Sequence, residues 1–200
     1  VEADYDKAMT LYHRANALGY PLAANNIGAL YDDMGEPEKS VKWFEQGIRQ
    51  GDKRATISLG RFYLLGIGVE QDSFKGMQML EKCDNHGLAS YLLSHLYDGV
   101  IGYDVPINYP KALEYYLLAE KNKQDLPNKD LMTLYNNLGT LYNAHEDIPT
   151  NYVEAQKYLT KAAEMGFPHA MYGLANLHGF KGDKKQAFKW YLKAAENGLI

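Results

Sequence analysis

The chain has 200 residues, a net charge of −4 and a pI near 5.9, so it carries no global basic footprint for nucleic acid. Hydrophobic residues make up 46% and charged residues 23%, the balance of a packed chain and not of a disordered one. No apolar run approaches the roughly 18 residues of a membrane span, and the single cysteine, Cys83, excludes an internal disulfide.

In chain order, the first periodic stretch is 4–19, DYDKAMTLYHRANALG, and it returns at 151–166 and 183–198. Its first small position is Ala8, Ser40, Gly76, Ala112, Ala155 and Ala187, in steps of 32, 36, 36, 43 and 32 residues. A second small position follows seven residues later: Ala15, Gly47, Cys83, Ala119, Ala162 and Ala194. Between them lie large pairs such as Trp43-Phe44, Tyr115-Tyr116 and Trp190-Tyr191. Offsets of 3, 4 and 7 put all of these on one helical face. Gly19, Gly51, Gly87, Gly166 and Gly198 close the copies and suit a left-handed helix cap, whereas Lys123 departs from that column.

A second pattern lies between these helices. It reads Ala23/Ile27/Gly28/Tyr31, Ala55/Leu59/Gly60/Tyr63, Ala89/Leu93/Ser94/Tyr97, Leu134/Leu138/Gly139/Tyr142 and Ala170/Leu174/Ala175/His178. Its offsets of 4, 5 and 8 again describe one face. Glycine inside a helix costs about 1 kcal/mol relative to Ala, so its recurrence marks close helix–helix contact. The chain therefore reads as a B helix, 4–19, followed by five A–B pairs at 20–51, 52–87, 88–123, 130–166 and 167–198. A single array over 1–200 is expected, and its unblunted ends read as part of a longer one. Pro106 and Pro110 mark irregular backbone at 99–110, and Pro127 does so at 123–130.

At these residues the sequence resembles the Sel1-like repeat family, a relative of the tetratricopeptide repeats. Ala55, Leu59, Gly60, Tyr63, Gly66, Gly68, Val69 and Asp72 match the first half of the family pattern. Lys161-Ala162-Ala163, Gly166, Ala187, Trp190, Lys193-Ala194-Ala195 and Gly198 match the second. The resemblance implies an all-α fold, a right-handed α-α superhelix or solenoid of antiparallel helix pairs, with A helices lining the concave side. It also implies an adaptor. Members of the family include bacterial secreted or periplasmic proteins, a eukaryotic endoplasmic-reticulum degradation adaptor and neutralising partners of bacterial toxins.

Catalytic motifs are not apparent. The six histidines form no metal-binding spacing and no cysteine pair accompanies them, so no metal or other cofactor is expected. Cys83 reads as buried filler, His178 as a core histidine and 145–147 as a solvated turn. Gly66-Ile67-Gly68 lacks the Lys-Ser/Thr of a phosphate loop and reads as a turn.

The better candidate is the groove face of the A helices, three before, one after and four after the small residue. The first two pairs offer Asn25, Ala29 and Asp32, then Ile57, Arg61 and Leu64. The third offers Tyr91, His95 and Asp98, and the fourth Asn136, Thr140 and Asn143. The fifth offers Tyr172, Asn176 and Gly179. Asn side chains can pair with both peptide N–H and C=O, and Tyr and Arg are enriched at binding hot spots. The expectation is a non-enzymatic scaffold that binds a partner peptide or domain there, with a bacterial inhibitor of a cognate toxin or enzyme as the alternative. Neither nucleic acid nor membrane insertion is expected.

Overall fold

The computed structural model describes residues 4–99, 105–143, 145 and 147–199. Among them are eleven α-helices and no strand. These residues form two compact units, 4–84 with Val105, and 85–99 with 106–199. Positions 100–104 of the expected irregular stretch lie outside the described residues.

The first unit holds α1 (Tyr5–Ala17), α2 (Leu22–Asp33), α3 (Pro37–Arg49), α4 (Lys53–Leu65) and α5 (Ser73–Glu81). The second holds α6 (Gly87–Tyr97), α7 (Tyr109–Lys121), α8 (Asn128–Asn143), α9 (Tyr152–Glu164), α10 (Pro168–Phe180) and α11 (Lys184–Glu196). Five of the six B helices start where an Asx side chain takes a free amide of the first turn, while α3 follows Glu36 without a side-chain cap and opens on Pro37. Asp4, Asp72, Asn108, Asn151 and Asp183 accept from Lys7, Lys75, Lys111, Glu154 and Gln186 respectively. Each such cap contributes about 1 kcal/mol.

In the first unit the core gathers on Phe44, Ala55, Leu59 and Phe62. The rings of Phe44 and Phe62 meet edge to face at 5.1 Å. Gly28 of α2 leaves the space that the Phe44 ring occupies, since a Cβ there would overlap the ring. In the second unit Leu159 of α9 fills the space beside Gly139 of α8 in the same way. Tyr158 stacks on Tyr142 and Tyr135, both at 6.1 Å between ring centres. From Ser40 and Gly47 onward the small columns are buried, Ala112, Ala119, Ala155 and Ala162 fully so, whereas Ala8 and Ala15 of α1 are half-buried. Cys83 is buried as expected, and burial pushes its thiol pKa up.

The 66–69 stretch is a turn. Gly66 caps α4 in the left-handed region at φ 67°, and the Asp72 amide donates to the Tyr63 carbonyl at 2.8 Å. Gly87 departs from expectation. It does not cap a helix in the left-handed region; it opens α6. The reason is that α5 stops at Glu81, so the chain has already turned when it reaches Gly87. There Gly87 meets the α7 C-terminus so closely that a Cβ would overlap the Asn122 carbonyl. Ile57 and Leu64 also depart from the groove set, being 2% and 1% exposed. Leu64 is drawn inward because Gly76 of α5 leaves room for its side chain.

Candidate interaction site

The expected A-helix residues fall into separate sets. In the first unit α2 and α4 lie side by side, and their polar residues pair with each other. Arg61 donates to Asp32 at 3.2 Å, and the Ser58 hydroxyl donates to Asn25 at 3.0 Å. Arg61 and Asp32 remain partly open to solvent, where such a pair contributes about 0.2–1 kcal/mol.

In the second unit, Asp98, Asn136 and Thr140 line one open cleft of about 250 Å³. Asp98 follows the last turn of α6 as its C-cap, while Asn136 and Thr140 are one turn apart on α8. Tyr109, at the start of α7, and His145 complete a wall, their ring centres 3.6 Å apart. Behind the cleft the Tyr116 hydroxyl donates to Asp98 and accepts from Asn137, which reaches it at 2.8 Å. Burial, reinforced by the Asp98 charge, pushes the Tyr116 pKa far up, so the hydroxyl stays a donor.

Asn143 and Asn176 come together at a second cleft of about 280 Å³, with Tyr152, Leu177 and Phe180. Asn176 already accepts from the Tyr191 hydroxyl at 2.6 Å. Tyr172 is 48% exposed and meets the Tyr191 ring at 5.5 Å.

Tyr91 and His95 depart from the exposed placement expected of them. They are 6% and 8% exposed. The His95 ring sits between those of Tyr91 and Tyr116, at 4.3 and 5.8 Å. The first turns of α8 bring Asp130 beside the Tyr91 phenol, whose pKa rises chiefly through burial. Burial lowers the His95 pKa to about 4, so the ring is neutral at physiological pH, and its Nε2 is buried without a hydrogen-bond partner. His178 is half-buried and faces Asp183 at 3.8 Å.

Sequence reasoning missed Asn137, Tyr109, Tyr116 and His145. Asn137 belongs to a second polar column, two before the small residue, that also contains Asn26 and Ser58. Tyr116 was hidden in the aromatic B-helix column. Tyr109 and His145 stand at a helix start and in a connection, where no periodicity marks them. The 123–130 connection is tied down and not free: Leu126 is buried, and Asp125 accepts from the Gly87 amide at 3.0 Å.

The Sel1 repeat family matches this chain at 1–20, 21–52, 54–82, 87–123, 135–167 and 168–199. A solved Sel1 repeat protein from Oxalobacter formigenes superposes with a TM-score of 0.76 at 27% identity, covering 98% of this chain and 78% of that one. The chain is 24% identical over 254 residues to chitin synthase regulatory factor 4 of Schizosaccharomyces pombe, covering 99% of this chain and 39% of that protein. It is 31% identical over 112 residues to the ERAD-associated E3 ubiquitin-protein ligase component HRD3B of Arabidopsis thaliana, covering 55% of this chain and 17% of that protein. The chain thus spans about two fifths or less of the length of these curated relatives. They come from a yeast and a plant and the solved neighbour from a bacterium, so the bacterial source that the alternative reading supposes does not follow from them. The fold class, an all-α solenoid type, is that of these solved neighbours. Six matches across nearly the whole length leave one conclusion, that the chain belongs to the Sel1 repeat family.

Proposed function

We propose that this chain is a non-enzymatic interaction scaffold that holds a segment or domain of a partner protein on the A-helix face of its second unit. Sel1 repeat proteins are generally protein-interaction scaffolds, and the relatives named above are a regulatory factor and a ligase component. The observation that carries the reading is the open cleft where Asp98, Asn136 and Thr140 converge. Three residues of the expected groove face, two of them on one helix, line one hollow. They offer a carboxylate, an amide and a hydroxyl, which suits recognition of an extended chain.

The test is capture of partner proteins by the wild type, by Asn136→Lys/Thr140→Lys, and by Val153→Lys. Val153 is on the B helix α9 and 76% exposed, so its substitution controls for added charge. A partner retained by the wild type and Val153→Lys but lost by the double variant supports the reading. Retention by all three overturns it.

A further inference from the structure

Asn143 continues the α8 face of Asn136 and Thr140 and lines the second cleft, of about 280 Å³. Asn176 and Leu177 of α10 line it too. Leu177 is buried, whereas Phe180, at the end of α10, is 76% exposed. The Phe180 ring meets that of Tyr152, the first residue of α9, at 5.5 Å and 37°. The described lining is thus two amides, one aliphatic side chain and two aromatic rings that stay open to water. Lys181, the residue after Phe180, donates its ammonium to Gln156 at 2.9 Å.

The two amides are not equivalent. Oδ1 of Asn176 is taken by the Tyr191 hydroxyl at 2.6 Å, so what this side chain offers a ligand is its N–H pair. Such a donor asks for a carbonyl oxygen. An extended backbone brings carbonyls, but most residues bring an N–H with each, and at Asn176 the acceptor for it is already engaged. Proline is the residue that brings a carbonyl and no N–H. Its ring also packs on exposed aromatic faces, and its polyproline helix is extended before it binds, so little freedom is lost.

We propose that this cleft receives a proline of an extended segment of the bound partner, with its ring on Tyr152 and Phe180 and a neighbouring carbonyl on the Asn176 amide. The proposal rests on the scaffold reading above and names the residue type recognised at the next cleft along the same face. From Asn136 to Asn143 is about 10 Å along α8, or about three residues of a polyproline helix, so one segment reaches both clefts.

The test uses two capped peptides, acetyl-Ser-Pro-Pro-Pro-Ser-amide and its valine counterpart acetyl-Ser-Val-Val-Val-Ser-amide, titrated into the 200-residue chain and followed by amide and side-chain NMR shifts. The proline peptide is expected to shift Asn143, Tyr152, Asn176, Leu177 and Phe180 signals, and the valine peptide to bind about tenfold more weakly or not measurably. Phe180→Ser, at a side chain that is mostly exposed, should abolish binding of the proline peptide. Tyr191→Phe keeps the ring but releases the Asn176 oxygen, so it should narrow the difference between the two peptides. Equal binding of both peptides, shifts mapping away from the cleft, full binding by Phe180→Ser, or a preference unchanged in Tyr191→Phe would overturn the proposal. So would the absence of any shift with the proline peptide at about 10 mM, where a site of millimolar affinity is mostly filled. If the proline peptide fails in this way while a captured partner is lost by Asn136→Lys/Thr140→Lys, this inference falls and the scaffold reading stands.

Discussion

The amide of Gly87 donates to Oδ2 of Asp125 at 3.0 Å, and the same glycine lies flat against the Asn122 carbonyl. This contact joins the start of α6 to the end of α7. A methyl group on Gly87 would have to displace backbone, which cannot swing aside as a side chain does. Gly87→Ala is therefore expected to cost about 1–3 kcal/mol, seen as a lower urea midpoint with little change in helix content. A neutral result would show that the α7 end yields easily.

His95 gives a pH dependence of known sign. Its pKa falls from 6.5 to about 4 on folding because the ring is buried. The unfolded chain thus binds more protons than the folded one between these values. Stability is fully present above pH 6.5 and is lost as pH falls toward 4, by on the order of 3 kcal/mol in all. His95→Phe should flatten the urea midpoint over that interval. A curve parallel to that of the wild type would show that His95 does not titrate there.

Tyr116 links Asp98 and Asn137 through one hydroxyl. Tyr116→Phe removes that oxygen and leaves two polar side chains without it, so a loss of about 1–3 kcal/mol is expected. In the double variant Tyr116→Phe/Asp98→Asn the two losses should sum to more than the observed total, because they break one network. Strict additivity in a double-mutant cycle would mean that the hydroxyl and the carboxylate act separately.

Lys161 of α9 bonds to Glu120 of α7 at 3.0 Å, with its ammonium 4.7 Å from the Tyr135 ring centre. Burial alone would raise the Glu120 pKa, but the Lys161 and Lys123 contacts outweigh it and the net shift is downward. The stabilisation is present above the ordinary carboxylate range and lost as pH falls through the lowered value. The pair is partly exposed, so its coupling should be only about 0.5–1 kcal/mol. A cycle with Glu120→Gln and Lys161→Met measures it, and 1 M salt should reduce it.

The repeat was legible because its code is short and redundant. Ala155, Leu159 and Ala162 are buried where a period of 3.6 puts them, and the same holds for Ala89, Leu93 and Ser94. The polar face was legible only in part. Asp98, Asn136 and Thr140 share a cleft, whereas Tyr91 and His95, one turn apart on α6, are buried. The difference lies in α8, whose sixteen residues reach back over Tyr91, a length that no single repeat column encodes. Gly87 misled for a related reason: α5 has nine residues, so the expected cap position falls inside the next helix.

The fit between Gly28 and the Phe44 ring, with its counterpart between Gly139 and Leu159, has a consequence for inheritance. Slot and wedge stand on the two helices of one pair. A gene duplication that copies the pair whole carries both halves of the match, whereas one that breaks between its helices sets a wedge against a stranger's slot. Arrays of this kind can therefore grow or shrink by whole pairs, and chimaeras cut inside a pair should fold poorly even when both parents are stable.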